Sequence, residues 1–329
     1  MSKTADAAIL IVAYKSRATL PRVRAALNAQ TLAASEILVL ENGSPQGERV
    51  SAAELPEGAR LIESETNDGF AGGNNRLARE TDARWLVLLN PDAYPDPDWL
   101  EQLMAAAERY PHAALFGSTQ RAYGEAGVLD GAGDLMHLAG VPYRGGYGRA
   151  MRPPPDGEIF APCAAAMMIR RDVFERLGGF DEDYFCYVED VDLGYRALLS
   201  GERAIQVQSA CVHHEGDASS GRRSAFATYH GTRNRLWTVL KDTPALLLPL
   251  VLPLHAAITL LLWLSAARFG QFALFGQALR DALKEWPYLM EKRRAVQAGR
   301  TVSAWRVLRA MAWNPFRLVT RAVHVRPLR

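Results

Sequence analysis

Short apolar runs followed by amphipathic stretches recur through the first third of this chain, and that alternation limits the fold more than any other feature. Ala7–Tyr14 (AAILIVAY) has no polar side chain before its tyrosine, the pattern of a strand covered on both faces. Thr19–Gln30 reads as a helix with Val23, Ala26 and Leu27 on one face. Pro21 falls in its first turn, where a missing N–H is tolerated. Glu36–Leu40, Ala59–Glu63, Arg84–Leu89 and Ala113–Ser118 read as further strands, with helices over Gly72–Glu80 and Trp99–Tyr110. Strands that alternate with helices build right-handed βαβ units, so an α/β fold with a mostly parallel, Rossmann-like sheet flanked by helices is expected.

Beyond this the signal changes twice. From Arg121 to Pro155 glycine and proline are dense, which predicts loops and short β pieces. Order returns with a strand at Ala164–Ile169, a helix at Arg171–Leu177 closed by Gly178-Gly179, a helix at Glu189–Ser200 and a strand at Ala204–Val212. After Ser219 the pattern is helical to the end; the chain divides into a first region, 1–240, and an apolar-then-basic helical region, 241–329. Cys163, Cys186 and Cys211 form no CxxC pair, so neither a disulfide framework nor a thiolate zinc site is expected. The N-terminal apolar run is too short for a signal peptide.

In open α/β sheets ligands bind beyond the carboxyl ends of the strands. Four consecutive strand ends carry polar or glycine-rich sequence: Tyr14-Lys15-Ser16, Glu41-Asn42-Gly43-Ser44, Asn67-Asp68-Gly69-Phe70-Ala71-Gly72-Gly73-Asn74-Asn75 and Asn90-Pro91-Asp92. Glycines in the third allow backbone to approach a ligand, and its asparagines offer donors and acceptors. It is not the GxGxxG fingerprint, because the spacing differs. Asp92 ends the strand expected to be most buried, where a carboxylate is costly unless it faces a polar site; one Asp with phosphate oxygens and water suits magnesium.

The densest chemistry lies in Gly178–Arg196, where Asp181, Glu182, Asp183, Glu189, Asp190 and Asp192 crowd among Tyr184, Phe185 and Tyr187. Asp192 and Arg196 are spaced for an i, i+4 ion pair. Glu189 and Asp190 open a helix, and aromatic neighbours raise the basicity of a carboxylate while offering a wall for a sugar ring. His213 and His214 end a strand and are candidate metal ligands. Arg233, within a basic helical stretch, is a candidate for gripping a diphosphate.

In this order the motifs VAYKS (ending at Ser16), ENGS (41–44), NDGFAGGNN (67–75), LNPDA (89–93), LGGFDEDYFCYVEDVDLGYR (177–196), VHH (212–214) and YHGTRNRL (229–236) resemble the GT-A family 2 glycosyltransferases, and among them the rhamnosyltransferase-like members. The resemblance covers residues 7–240. It implies an inverting, metal-dependent hexosyltransferase using Mg2+ or Mn2+, a nucleotide-diphosphate sugar donor with dTDP-rhamnose favoured, and a glycan or glycolipid acceptor in cell-envelope polysaccharide synthesis. Glu41, where the family usually has Asp, would face the nucleobase or ribose. Tyr14, Asn42, Asn67, Gly69, Gly72, Asn74 and Asn90 would border the donor. Asp92 matches the last carboxylate of the DxD-type motif, with Asn90 and Pro91 in place of the earlier ones. His213 would complete the metal shell, with His214 as the alternative, and Asp190 of the Glu189-Asp190 pair matches the general base. The processive-synthase signature QxxRW is absent, which implies transfer of a single sugar.

The end of the chain has a different character. Residues 291–329 hold ten Lys/Arg and one acid, a local charge of +9, against −7 for residues 1–290. Ala245–Leu264 is apolar and long enough to span a bilayer, but Pro249, Pro253 and His255 favour a kinked or interfacial element. One span would put the basic tail on the side away from a cytosolic catalytic domain, against the positive-inside tendency. A helical appendage lying on or dipping into the cytoplasmic face of an anionic membrane is therefore expected, with Trp286, Trp305, Trp313 and Phe316 near the headgroups. No nucleic-acid partner is expected, and a homo-oligomer is compatible with the sequence. A nucleotidyltransferase would need a basic glycine-rich loop after the first strand, which Tyr14-Lys15-Ser16 does not provide. A non-catalytic sugar- or lipid-binding protein would have no need for both Asp92 and the Glu189-Asp190 pair.

Overall fold

The computed structural model describes residues 4–216 and 224–328; of the helical stretch expected after Ser219, residues up to 223 lie outside it. The chain begins β1 (Thr4–Ala13), α1 (Leu20–Asn28), β2 (Ala33–Asn42), β3 (Arg60–Ser64), α2 (Gly69–Ala78), β4 (Trp85–Leu89), β5 (Ala93–Pro95), α3 (Trp99–Arg109) and β6 (Leu115–Ala122). The segment expected to be loops and short β pieces supplies β7 (Val128–Gly131), β8 (Asp134–His137), β9 (Val141–Arg144), β10 (Arg149–Ala150) and β11 (Gly157–Ile159). Then follow β12 (Ala166–Arg170), α4 (Arg171–Arg176), α5 (Glu189–Leu199), β13 (Ala204–His214), α6 (Ala225–Asp242), α7 (Leu248–Ala266), α8 (Phe272–Lys284), α9 (Trp286–Ala298), α10 (Ala304–Ala310) and α11 (Phe316–Thr320).

The main sheet runs β10-β7-β6-β12-β4-β1-β2-β3, with β13 beside β6. β1, β2, β3 and β4 are parallel, as the alternation predicts. β12 enters antiparallel between β4 and β6, so the sheet is mixed rather than wholly parallel. Ile9, Ile11 and Val87 face one core and Leu10, Leu86 and Leu88 the other, which is why these strands are apolar at every position. α2 starts three residues before the expected boundary, so the glycine-rich motif is its first turns rather than an open loop. A Cβ on Gly73 would stand 2.8 Å from Val12 Cγ1 and 3.3 Å from a Leu40 methyl. That glycine lets the helix lie close on β1 and β2.

The region after Asp242 packs back on the rest. Val302, Val307, Ala310 and Met311 share a core with Val191, Tyr195 and Leu198 of α5. Ala312 pairs with β8, and the backbone of Arg326 bonds that of Glu158 in β11. Residues Ala245–Phe269 form a helix long and apolar enough to cross a membrane by length and composition. Leu246, Leu250, Leu260, Leu261 and Leu264 along it are exposed.

Charged side chains tie α5 to α6 and α9. Asp192 lies wholly buried and pairs with Arg196 at 2.7 Å, the expected i, i+4 bridge set in the core rather than on a solvated face. The Lys241 ammonium stands 2.5 Å from Asp192 and 2.6 Å from Asp181, and Lys292 reaches Asp181 at 2.5 Å. Burial opposes the charged form of Asp192, but Arg196 and then Lys241 outweigh it and hold its carboxyl far below the usual range. Asp192→Ala should therefore take the ion-pair partner from Arg196 and leave Lys241 with Asp181 alone, destabilising the fold by about 3–5 kcal/mol, readable as a lower urea midpoint. An unchanged midpoint would show that the cluster is not a net constraint.

Candidate active site

β4 carries the chain to the sheet edge, where Asn90-Pro91-Asp92 turns into β5. The last residues of β13 run antiparallel to β5, with His214 opposite Ala93 and His213 opposite Tyr94. β13 is two residues longer than its apolar run suggests, so both histidines lie within it. Side chains alternate along a strand, and the two rings therefore diverge. His214 is buried with Nε2 3.3 Å from Asp92 Oδ1 and 3.4 Å from the Asn90 amide nitrogen. His213 is half exposed and meets Asp96 at 3.1 Å on the other side. The imidazole facing Asp92 is that of His214, which corrects the expectation placed on His213.

The far nitrogen of His214 is also engaged. Nδ1 lies 2.8 Å from Asp130 Oδ2, and the same oxygen accepts from Arg144 Nη1 at 2.6 Å. In the neutral ring this arrangement puts the proton on Nδ1 and leaves the Nε2 lone pair facing Asp92. Burial disfavours the charged ring, but Asp130 and Asp92 outweigh it and push His214 up to about 9. Burial likewise works against the Asp130 carboxylate, while Arg144 and His214 hold it below its usual range. A carboxylate oxygen, an imidazole nitrogen tied to a second carboxylate, and a field that favours positive charge make a donor set fit for a divalent cation.

At the start of α5, Asp190 Oδ2 accepts from the Ala164 amide at 3.1 Å and Oδ1 from the Val191 amide at 2.8 Å. Single ligand-type atoms of Asp190, Asp134 and Cys163 lie within 4.8 Å of one another. Burial, then Asp190, push the Asp134 carboxyl well above its usual range. Burial and then Asp190 do the same to Glu189, which is packed inside.

The donor-side expectations fare unevenly. Glu41 is fully buried, and its two oxygens accept from the Ser44 and Val50 amides at 2.7 and 2.8 Å. The longer side chain thus folds back to brace the following loop instead of facing a nucleobase. Asn42 donates to Asn67 Oδ1 and the Gly69 carbonyl and accepts from the Asp68 amide, and Asn67 Oδ1 accepts from the Gly69 amide. These two asparagines shape the turn into α2. Asn74 donates to the Phe70 carbonyl from inside the helix, and its Oδ1 is buried without a partner among the described residues. Gly72 lies in α2 against Asp68, and Tyr14 stands half buried just past β1.

Gly69 has φ +70°, and a Cβ there would collide with the Phe185 carbonyl oxygen. That oxygen accepts from the Phe70 and Ala71 amides at 2.7 and 3.2 Å, so the first turn of α2 holds the loop before α5. From the opposite side Asn234 of α6 donates to the carbonyls of Tyr184, Cys186 and Tyr187 at 2.8–3.0 Å. Phe185, Tyr187 and Val188 in this loop all have positive φ. Arg233 donates to the Asp183 and Tyr184 carbonyls and lies over the Trp237 ring, so it anchors the loop rather than standing free for a diphosphate. Tyr184 is core, packed on Trp237, whereas Phe185 and Tyr187 gather with Phe226 into an aromatic rim.

Asp130, Asp134 and Arg144 are absent from the expectations, and Asn234 entered them only as part of the YHGTRNRL motif, with no task of its own. The signal available for the first two is Asp-Gly-Ala-Gly-Asp at 130–134, two acids around small residues in a stretch read as loop.

A sequence profile for "Glycosyl transferase family 2" matches residues 8–178. The chain belongs to this family, and it is a glycosyltransferase. It is 29% identical over 247 residues to the N-acetylglucosaminyl-diphospho-decaprenol L-rhamnosyltransferase of Mycobacterium tuberculosis, covering 68% of this chain and 80% of that one. Among solved structures it resembles GalNAc-T7 with UDP, GalNAc and Mn2+ (TM-score 0.55, 14% identity, 71% of this chain and 47%, about half, of the other). It also resembles Staphylococcus aureus TarS 1–349 in complex with UDP-GlcNAc (TM-score 0.54, 14% identity, 94% and 93% covered). At that identity the likeness shows a shared GT-A-like fold.

Gly69→Ala should loosen the loop that leads to Asp190. The left-handed backbone alone costs roughly 1–2 kcal/mol, and the Phe185 carbonyl must move as well. We expect a lower melting temperature together with reduced transfer; a variant that melts like the parent would contradict the clash.

Proposed function

We propose that this glycosyltransferase inverts configuration in a single displacement, moving one sugar from a nucleotide-diphosphate donor, dTDP-rhamnose by preference, to a lipid-linked or polysaccharide acceptor in envelope-glycan synthesis. The observation that carries the reading is the pairing of Asp92 with His214 at the carboxyl edge of the sheet, 3.3 Å apart. The mycobacterial relative, named for rhamnosyl transfer to a polyprenyl-diphosphate-linked sugar, supports the donor and acceptor classes.

Asp190 takes the proton of the acceptor hydroxyl as that oxygen bonds to the anomeric carbon. The bond from that carbon to the diphosphate oxygen breaks, and the nucleoside diphosphate leaves with the electron pair. Two backbone amides hold Asp190 in place, and the aromatic rim of the loop before α5 offers ring faces to a sugar. A divalent cation held by Asp92 and His214, Mg2+ or Mn2+, would supply charge neutralisation at the leaving diphosphate. Mn2+ in the GalNAc-T7 structure is consistent with that choice.

The exposed apolar side of α7, with Trp286, Trp305 and Phe316 exposed on the following helices and a +9 tail, supports contact with the cytoplasmic face of an anionic membrane. There the enzyme would meet a lipid-linked acceptor.

Asp190→Asn should lower turnover by about 10²–10⁴-fold with donor binding kept, measured by transfer kinetics and calorimetry. Asp92→Ala and His214→Ala should abolish measurable Mn2+ binding, whereas His213→Ala should retain it. Near-normal transfer by Asp190→Asn would remove Asp190 from the base role. High salt should release the protein from isolated membranes, an outcome incompatible with a true span; retention through both salt and alkaline washing would instead establish one.

A further inference from the structure

The metal and base halves of the site come from distant parts of the chain, yet one side chain meets both. Arg144 ends β9 and is the cross-strand partner of Asp134 in the β8–β9 hairpin. Its guanidinium donates from Nη1 to Asp130 Oδ2 at 2.6 Å, and Nε lies 3.9 Å from Asp134 Oδ1. Asp130 in turn orients His214 toward Asp92, and Asp134 sits against Asp190. The Arg144 side chain is 27% exposed, while those of both aspartates are 8% exposed.

The path of this side chain is built into the backbone. A Cβ on Gly131 would stand 2.5 Å from Arg144 Cδ and 2.6 Å from Cγ, so the arginine stem runs across the bare face of that glycine. Asp130 Oδ2 accepts from both Arg144 and His214, which leaves the carboxylate little freedom to rotate. Without the guanidinium, Asp130 would be released to turn, and the proton on His214 Nδ1 would lose its fixed acceptor. The mostly buried Asp130 carboxylate would also lose its cation.

We propose that Arg144 is a positioning residue that locks Asp130 behind His214, and so presets the metal pocket, while holding the same hairpin's Asp134 beside the catalytic base. This rests on the reading of Asp92 and His214 as a metal site. It assigns to a cation outside every recognised motif the task of keeping the two halves in register.

The test is Mn2+ affinity of the full chain without donor or acceptor, by calorimetry or by titration of the free-Mn2+ EPR signal. Arg144→Met should weaken Mn2+ binding about 10–100-fold, the range found when the group orienting a metal-bound histidine is removed. Arg144→Lys should recover part of the loss. Gly131→Ala leaves every charge in place but pushes the stem aside, and should weaken Mn2+ binding in the same direction; it also covers failure of the Met variant to fold. The Mn2+ concentration for half-maximal transfer should rise in parallel, with the acceptor KM little changed. If Mn2+ binding is lost in Asp92→Ala but equal to the parent in both Arg144→Met and Gly131→Ala, the positioning role is overturned and the metal site stands. If Asp92→Ala binds Mn2+ as the parent does, the metal site itself fails and takes this role with it.

Discussion

A single buried ammonium, that of Lys241, connects the parts of the molecule that the candidate site needs. It stands between Asp192 on α5 and Asp181 at the head of the acidic loop, and it comes from α6. Taking such a group out of water costs several kcal/mol, and only partners at close range on more than one side offset that cost. With Arg196 closing the far side of Asp192 and Lys292 the far side of Asp181, α5, the loop and α9 have one mutual arrangement. Asp190 lies two residues from Asp192, so the network that orders the core also sets where the candidate base stands.

The loop between Asp181 and Glu189 is held from three directions. The α2 amides take the Phe185 carbonyl, Asn234 takes three more, and Asn75 accepts from the Phe180 amide and donates to its carbonyl. Three residues at positive φ are tolerated because every one of these carbonyls has a donor. Motifs that looked like ligand contacts in the sequence are therefore divided in labour. Asn42, Asn67, Gly69 and Arg233 hold the turns and the loop, while Asp92, His214 and Asp190 are the residues proposed to hold the metal and act as base.

The C-terminal region joins this construction too. The Arg321 carbonyl accepts from Gly146, the Ala322 carbonyl from Tyr143 and the Thr320 carbonyl from Arg149, so the tail grips the hairpin that carries Asp134 and Arg144. The same stretch exposes Phe316 and Val319. Residues that would face a lipid surface are thus a few positions from residues that brace the site.

What the sequence by itself determined is the set of features written in local pattern. Continuous apolar runs require doubly covered strands, and alternation with helices gives a mainly parallel sheet. Motif order identifies the family, and an acidic, aromatic-rich segment opening a helix draws attention to Asp190, the base proposed above. Only the tertiary structure decided how those pieces face one another. His213 and His214 are indistinguishable as neighbours, and the choice came from the extension of β13 beside β5, whose two-residue period turns one ring to Asp92 and the other to Asp96. Glu41 reads as a ligand contact until the Ser44 and Val50 amides are seen to occupy both its oxygens. Asp130 and Arg144 have no periodicity to announce them, because short strands joined by glycine turns leave little pattern. Their role arises from contacts across 14 residues to each other and 84 to His214. Such long-range pairings are set by packing and by the cost of leaving a buried charge alone, and neither is encoded in the neighbours of a residue along the chain.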